Sequence, residues 1–296
     1  MLKLYDTTLR DGSQMEGISY STEDKLRITK KLDDLGIDYI EGGWPGSNPK
    51  DISYFKKVKK LDLKNAEVVA FGSTRRPNIK AKDDKNLNKI IESGVKVATL
   101  FGKTWDLHVK EALKTTLNEN LDMIESSIKY LTESGIKVFF DAEHFFDGFK
   151  NNKEYALKVL KRANEAGAKN LVLCDTNGGT LPNEISEIFD ELENKFDCEF
   201  GIHAHNDSEV AVANSLIAYQ KGVSQIQGTI NGYGERCGNA NLSSVIANIK
   251  LKIDKNKFNK VDLRKLTEVS RFVSELNNIT HPSNLAYVGS SAFTHK

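Results

Sequence analysis

The sequence predicts an α/β chain closed into a (β/α)8 barrel, and three observations carry that prediction. Eight short β-branched or apolar runs alternate with helix-length amphipathic segments, with no break in composition between them. Helix after helix is stopped by a glycine with a new apolar run close behind, leaving only short returns. Polar clusters follow the first, seventh and eighth runs; only a closed barrel, where strand 1 lies beside strand 8, brings segments about 200 residues apart to one mouth. An open doubly wound sheet is the alternative, but it requires no such meeting of chain ends.

The runs are Leu2–Asp6, Tyr39–Gly42, Glu67–Phe71, Lys96–Phe101, Lys137–Asp141, Asn170–Cys174, Glu199–His203 and Gln225–Thr229. Ser21-Thr22-Glu23-Asp24 offers a cap hydroxyl with an acid three residues on. Leu26, Ile28, Leu32 and Leu35 follow at helical spacing until Gly36 ends that helix. The same stop recurs at Glu92-Ser93-Gly94, Glu133-Ser134-Gly135, Glu165-Ala166-Gly167 and Gln220-Lys221-Gly222. Thr180-Leu181-Pro182 opens the sixth helix with proline in its first turn, where the missing N–H removes no bond. After the eighth unit, Asp262–Asn277 carries Leu263, Leu266, Val269, Phe272, Val273 and Leu276 on one stripe, and should pack beside the barrel or against a partner. Residues 1–260 therefore read as the barrel, and 261–296 as a C-terminal helix and the start of a further linker or subdomain.

The 296 residues are 39% hydrophobic, enough for one large domain with a substantial core. Lys and Arg number 42 against 41 Asp and Glu, so neither nucleic acid nor an anionic membrane is the expected partner. The start lacks the apolar core of a signal peptide, and no run approaches the roughly 20 apolar residues of a membrane span. With three scattered cysteines, Cys174, Cys198 and Cys237, the expected location is the cytoplasm.

The chemistry gathers at the run ends. In Gly201-Ile202-His203-Ala204-His205-Asn206-Asp207, strand alternation points His203 and His205 the same way with Cα atoms about 7 Å apart, within reach of one metal ion. Taken alone, the pair also fits two strand-end imidazoles hydrogen-bonded to backbone. Asp6-Thr7-Thr8-Leu9-Arg10-Asp11-Gly12-Ser13-Gln14 sets a carboxylate, a guanidinium and an amide at the mouth. Asp11 supplies a hard oxygen ligand, and Arg10 a fixed charge suited to a developing oxyanion; a solvated loop with a structural Arg–Asp pair is the alternative. The glycine-rich stretch Asn231–Asn241 presents the amide oxygen of Asn239. Two imidazoles, one carboxylate and one amide oxygen leave positions open for a chelating substrate, the layout of a catalytic metal site. Glu143 lies between two phenylalanine pairs whose surroundings would raise a carboxyl pKa, as proton transfer requires; a Glu held only by an ion pair is the alternative. Thr176, after the sixth run, turns a hydroxyl toward the same mouth or forms a structural turn with Asp175. Cys237 has no base partner that the sequence can assign, which argues against a nucleophile.

These segments resemble the metal-dependent family of isopropylmalate, homocitrate and citramalate synthases and HMG-CoA lyase, all TIM barrels. The resemblance covers nearly the whole chain and is most specific at Asp6–Gln14, His203–Asp207 and Gly234-Glu235-Arg236-Cys237-Gly238-Asn239. It implies that Asp11, His203, His205 and Asn239 surround a divalent ion (Mn, Zn, Co or Mg). It further implies that Arg10 neutralises enolate and keto oxygens, that Glu143 serves in acid–base chemistry, and that Thr176, with Gln14 and Arg10, holds a 2-oxo acid. Ile40–Asp51, Phe101–Asp106 and His144–Gly148 are most similar to the citramalate synthases, which join acetyl-CoA to pyruvate. Phe71-Gly72-Ser73-Thr74-Arg75-Arg76-Pro77 stands where many isopropylmalate synthases carry a histidine-bearing loop, and so departs from them.

The expected activity is therefore acyl transfer from acetyl-CoA to pyruvate, giving citramalate and CoA. The rivals are isopropylmalate or homocitrate synthesis, a metal-dependent lyase or hydrolase on the same barrel, and an inactive metal-holding module. Similar synthases continue past the segment ending at His295-Lys296 into a motif with a further catalytic histidine, and they are homodimers. The expectation is accordingly a truncated catalytic barrel that binds metal and pyruvate but turns over slowly.

Overall fold

The computed structural model describes residues 2–193 and 195–294. Eight parallel strands close in sequence order: β1 (Lys3–Asp6), β2 (Tyr39–Gly43), β3 (Glu67–Ser73), β4 (Val97–Lys103), β5 (Lys137–Glu143), β6 (Asn170–Asp175), β7 (Phe200–Ala204) and β8 (Gln225–Gly228). The closing seam pairs Lys3 with Gln225 and Asp6 with Gly228, so β1 and β8 end at the same mouth. This is the predicted TIM barrel, with every strand within two residues of its expected bounds. The longer ends of β4 and β5 arise because Phe101, Gly102 and Lys103 pair in register with Asp141, Ala142 and Glu143, an interstrand match invisible in either run alone.

The outer helices are α1 (Thr22–Leu35), α2 (Pro49–Val58), α3 (Lys85–Ser93), α4 (Asp106–Glu111), α5 (Leu117–Glu133), α6 (Phe145–Asn151), α7 (Lys153–Glu165), α8 (Pro182–Leu192), α9 (Ala211–Gln220), α10 (Leu242–Asn248) and α11 (Leu266–Leu276). Ser21 and Asp24 form the expected reciprocal cap on α1, Asp24 N–H donating to Ser21 Oγ at 3.1 Å and Ser21 N–H to the Asp24 carboxylate at 3.0 Å. Gly36 ends α1 at φ 99°, where a Cβ would stand 2.4 Å from the Lys260 carbonyl oxygen, so both backbone and space call for glycine. The crossovers after β4 and β5 each begin with an unpredicted short helix, α4 or α6. Val109 on α4 and Phe145, Phe146 and Phe149 on α6 are buried, which holds these turns against the barrel.

The expected C-terminal helix opens with a 3₁₀ turn at Leu263–Lys265 and continues as α11. It lies against α1, with Lys31 paired to Glu268 and Arg27 over the Phe272 ring. Met1, Asn194, His295 and Lys296 lie outside the described residues, so the chain end named above is not seen. Among the described residues no helix is long and apolar enough to cross a membrane.

The main core fills the layer between sheet and helices, whereas Tyr5, Val69, Val97 and Phe139, with Tyr39, form a separate cluster inside the barrel. Toward the strand ends that interior turns polar, with Glu41, Thr99, Asp141 and Gln227 all buried. Buried polar groups need partners, and here they find them mainly in one another, beneath the mouth.

Candidate metal centre and active site

β1 and β7 deliver three donors to one point. Asp11 Oδ2 lies 3.3 Å from His203 Nε2 and 3.7 Å from His205 Nε2, and the two imidazole nitrogens are 3.0 Å apart. All three residues are buried, and their ligand atoms fall within 4.8 Å of one another, a group able to hold a metal ion. Asn239 joins them through a bridge with His205. Its Nδ2 donates to the Tyr233 carbonyl at 3.1 Å, which fixes the amide orientation and leaves Oδ1 buried without a partner. Asp11 Oδ1 is also buried and partnerless. Two orphaned acceptors at the edge of a buried pair of imidazoles are rare in a folded protein, and the Asp11, His203 and His205 group is consistent with a divalent metal site.

Each ring is oriented from behind. Gln227 Oε1 stands 2.9 Å from His203 Nδ1, while Gln227 Nε2 donates to Asp141 at 3.0 Å and Gln225 at 3.2 Å. The amide therefore turns its oxygen to the imidazole, which places a proton on Nδ1 and aims Nε2 toward Asp11. Arg236 Nη2 lies 2.8 Å from His205 Nδ1 and is held by Asp207 and the Thr176 carbonyl. Burial works against charge on His203, but Asp11 outweighs it and raises the imidazole pKa. Burial likewise opposes ionisation of Asp11, yet Arg10 and the two histidines hold its carboxyl well below the usual range.

Arg10 is clamped by Glu41, whose Oε1 accepts from Nε at 2.6 Å while Oε2 accepts from the Tyr5 hydroxyl at 2.6 Å. Tyr5 in turn lies 2.7 Å from Thr99 Oγ1. Burial disfavours the guanidinium charge, but Glu41 and Asp11 more than restore it. The guanidinium carbon sits 3.9 Å from the Phe71 ring centroid, and Gln14 Oε1 is a looser neighbour at 3.4 Å.

A cavity of about 200 Å³ opens over this cluster, and its lining includes every site residue predicted above except Asn239. Glu143 faces it in a different setting from the expected apolar one. Its neighbouring phenylalanines point into the barrel and the helix layer, and its carboxylate pairs with Lys103 Nζ at 2.5 Å across the β4–β5 register. Phe140 alternates to the helix layer, Phe139 shares the face of Glu143 but lies four residues deeper in the barrel, and Phe145 and Phe146 belong to α6, so sequence neighbours are poor guides to a strand-end carboxylate. Thr176 Oγ1 accepts the His144 N–H at 2.9 Å, which leaves its own proton free to donate. His144 adopts φ 55° to make that bond. Cys174 also lines the cavity, with burial pushing its thiol well up, while Cys237 is exposed.

Beside Arg10 the cavity lining is aromatic: Trp44 stands edge-on to Phe71 and Phe101 at centroid distances of 5.7 and 5.6 Å. Sequence reasoning missed this wall, together with Glu41, Lys103 and Gln227. An acid inside the apolar run Tyr39–Gly42 was the one available signal, for Glu41.

The model of a family described as HMGL-like matches residues 1–273. The chain is 58% identical to an (R)-citramalate synthase of Aquifex aeolicus over 99% of its own length and 56% of that protein. It is 56% identical to an (R)-citramalate synthase of Geobacter sulfurreducens, covering all of this chain and 56% of the relative. It thus spans little more than half the length of the relatives it matches. Among solved structures, the HMG-CoA lyase of Bacillus subtilis superposes with a TM-score of 0.80 over 96% of each chain at 20% identity, a likeness of fold.

Proposed function

The chain belongs to the HMGL-like family, and from that premise we propose that its barrel binds a divalent metal ion and pyruvate and condenses pyruvate with acetyl-CoA. The products are citramalate and free CoA, with one water consumed in cleaving the thioester. The observation that carries the reading is the 58% identity, across almost the entire chain, to an (R)-citramalate synthase.

Asp11, His203, His205 and Asn239 are the proposed ligands. A mixed imidazole and oxygen shell accepts Mn²⁺, Zn²⁺, Co²⁺ or Mg²⁺, and a bound ion would polarise the keto group of a chelated 2-oxo acid.

The chain's own groups supply the rest. Arg10, kept charged by Glu41 and Asp11, offers a fixed guanidinium to oxygens that gain negative charge as the acetyl methyl is deprotonated and attacks. Thr176 donates its free hydroxyl proton to the 2-oxo acid, with Gln14 at the rim of the same cavity. Glu143, with Lys103 as its counter-ion, is the acid–base group facing the cavity. Trp44, Phe71 and Phe101 give the cavity, about 200 Å³ in volume, an apolar wall against which the methyl of pyruvate would lie.

Thiol release measured with a panel of 2-oxo acids in the presence of each metal tests the reading. Pyruvate is expected to be preferred, with citramalate as product. A clear preference for 2-oxoisovalerate, or ester or amide hydrolysis without acetyl-CoA, sinks it.

A further inference from the structure

β2 does not run straight into the mouth. Glu41 shares the inward face of Tyr39, and the register against β3 then slips between Glu41 and Gly43, a bulge that carries Trp44 to the cavity wall. Gly43 sits at φ 141°, and a Cβ there would lie 2.3 Å from the Asp51 carboxyl carbon, so the bulge admits a carboxylate from α2 directly against the backbone. Asp51 Oδ2 accepts the Trp44 N–H at 2.8 Å. Its other oxygen takes Lys25 Nζ from α1 at 2.5 Å, and the same ammonium donates to the Gly42 carbonyl at 3.0 Å. Both Lys25 and Asp51 are buried.

The other end of Trp44 is held from α3. Its indole N–H donates to Asn86 Oδ1. The Asn86 amide cannot turn over freely, because its Nδ2 donates to the Ser73 carbonyl at 2.8 Å. Space around it is tight, since a Cβ on Gly46 would stand 2.6 Å from Asn86 Oδ1 and one on Gly72 would stand 3.0 Å from it. Between these anchors the indole stands on Phe71 and Phe101, which stack on each other at 5.3 Å. Trp44, Phe71 and Phe101 line the cavity, whereas Asp51 and Asn86 do not.

We propose that Asn86 and Asp51 are specificity-positioning residues: by fixing Trp44 at its indole N–H and its backbone N–H, they keep the aromatic wall closed against 2-oxo acids larger than pyruvate. The proposal rests on the 2-oxo acid reading given above. Trp44 can swing away only by giving up its bonds to Asp51 and Asn86. A wall tied at both ends therefore rejects an extra methylene that an untied wall accommodates, and one methylene decides roughly 10- to 200-fold in a well-formed pocket.

The test compares kcat/KM for pyruvate and 2-oxobutanoate in the parent, Asn86→Ala, Trp44→Phe and the double variant. Asn86→Ala is expected to narrow the preference for pyruvate about 10-fold, mainly through KM, while Trp44→Phe and the double variant share one ratio because no indole N–H remains to be held. Should Asn86→Ala fail to fold, Asn86→Ser carries the same comparison. An equal change from Asn86→Ala in both backgrounds would mean that Asn86 acts through something other than Trp44, and overturns the proposal. A second readout is independent of turnover. Trp44 and Trp105 are the chain's 2 tryptophans, so in a Trp105→Phe background Asn86→Ala should shift Trp44 emission. An unchanged spectrum refutes the tether, and a shifted spectrum with an unchanged substrate ratio refutes its role in selection. If the parent turns over no 2-oxo acid although the emission shifts, the functional reading has failed, and selection falls with it while the tether stands.

Discussion

Glu41 Oε1 accepts the Arg10 Nε–H at 2.6 Å from a position with no solvent exposure, so the charge proposed to meet the substrate is set by a carboxylate beneath it. Glu41→Gln puts an amide in place of the nearer of the guanidinium's two carboxylate partners, Glu41 and Asp11. Removing one member of a buried pair costs on the order of 3 kcal/mol in stability, and urea unfolding should show a loss of that size together with slower thiol release. Arg10→Lys should not restore activity, because an ammonium cannot bond Glu41 through Nε and present a second planar edge.

His203→Ala and Asp11→Ala should each abolish tight metal binding while the barrel stays folded. In the parent, a divalent ion at 100 times its Kd should add about 2.7 kcal/mol of stability, visible as a rise in Tm that both variants lack. Unchanged metal content in either purified variant would contradict the site.

Glu143→Gln keeps the shape of the side chain but removes its charge and its basicity. If Glu143 transfers protons, kcat should fall about 10²- to 10⁴-fold with little change in KM for pyruvate. A fall of less than tenfold would reduce Glu143 to the Lys103 ion pair seen in the structure.

Asp6 gives stability a pH dependence of definite sign. Burial raises its carboxyl to about 7 against the pull of its bonds from Thr8. Its unfolded pKa is about 3.9, so between roughly pH 4 and 7 the native state holds a proton that the unfolded state has lost. Stability must then fall as pH rises through that window, by at most about 1.4 kcal/mol per pH unit. Asp6→Asn removes this contribution. Urea unfolding at pH 5 and pH 7 should show the parent losing ground relative to the variant, and parallel losses would refute the shift.

What could be read in the sequence was what repeats or clusters locally. Strand runs and glycine stops marked the barrel because their signals lie within a few residues, and His203 with His205 showed a shared face because alternation is a property of one strand. Asp11 and Asn239 were reached by reasoning from barrel closure, which the β1–β8 seam bears out as geometry. The supports were hidden because they pair across the barrel: Glu41 is 31 positions from Arg10, and Gln227 is 86 from Asp141. Glu143 misled for a related reason. Its phenylalanine neighbours in sequence lie in the helix layer or deeper in the barrel, and the residue that meets it, Lys103, comes from the adjacent strand.

The most direct test of the account is a crystal soaked with Mn²⁺ and pyruvate, read by anomalous scattering. One manganese peak is expected among Asp11, His203, His205 and Asn239, with pyruvate beside Arg10 and its methyl toward Trp44, Phe71 and Phe101. A peak away from these four residues, or pyruvate bound outside this cavity, would contradict it.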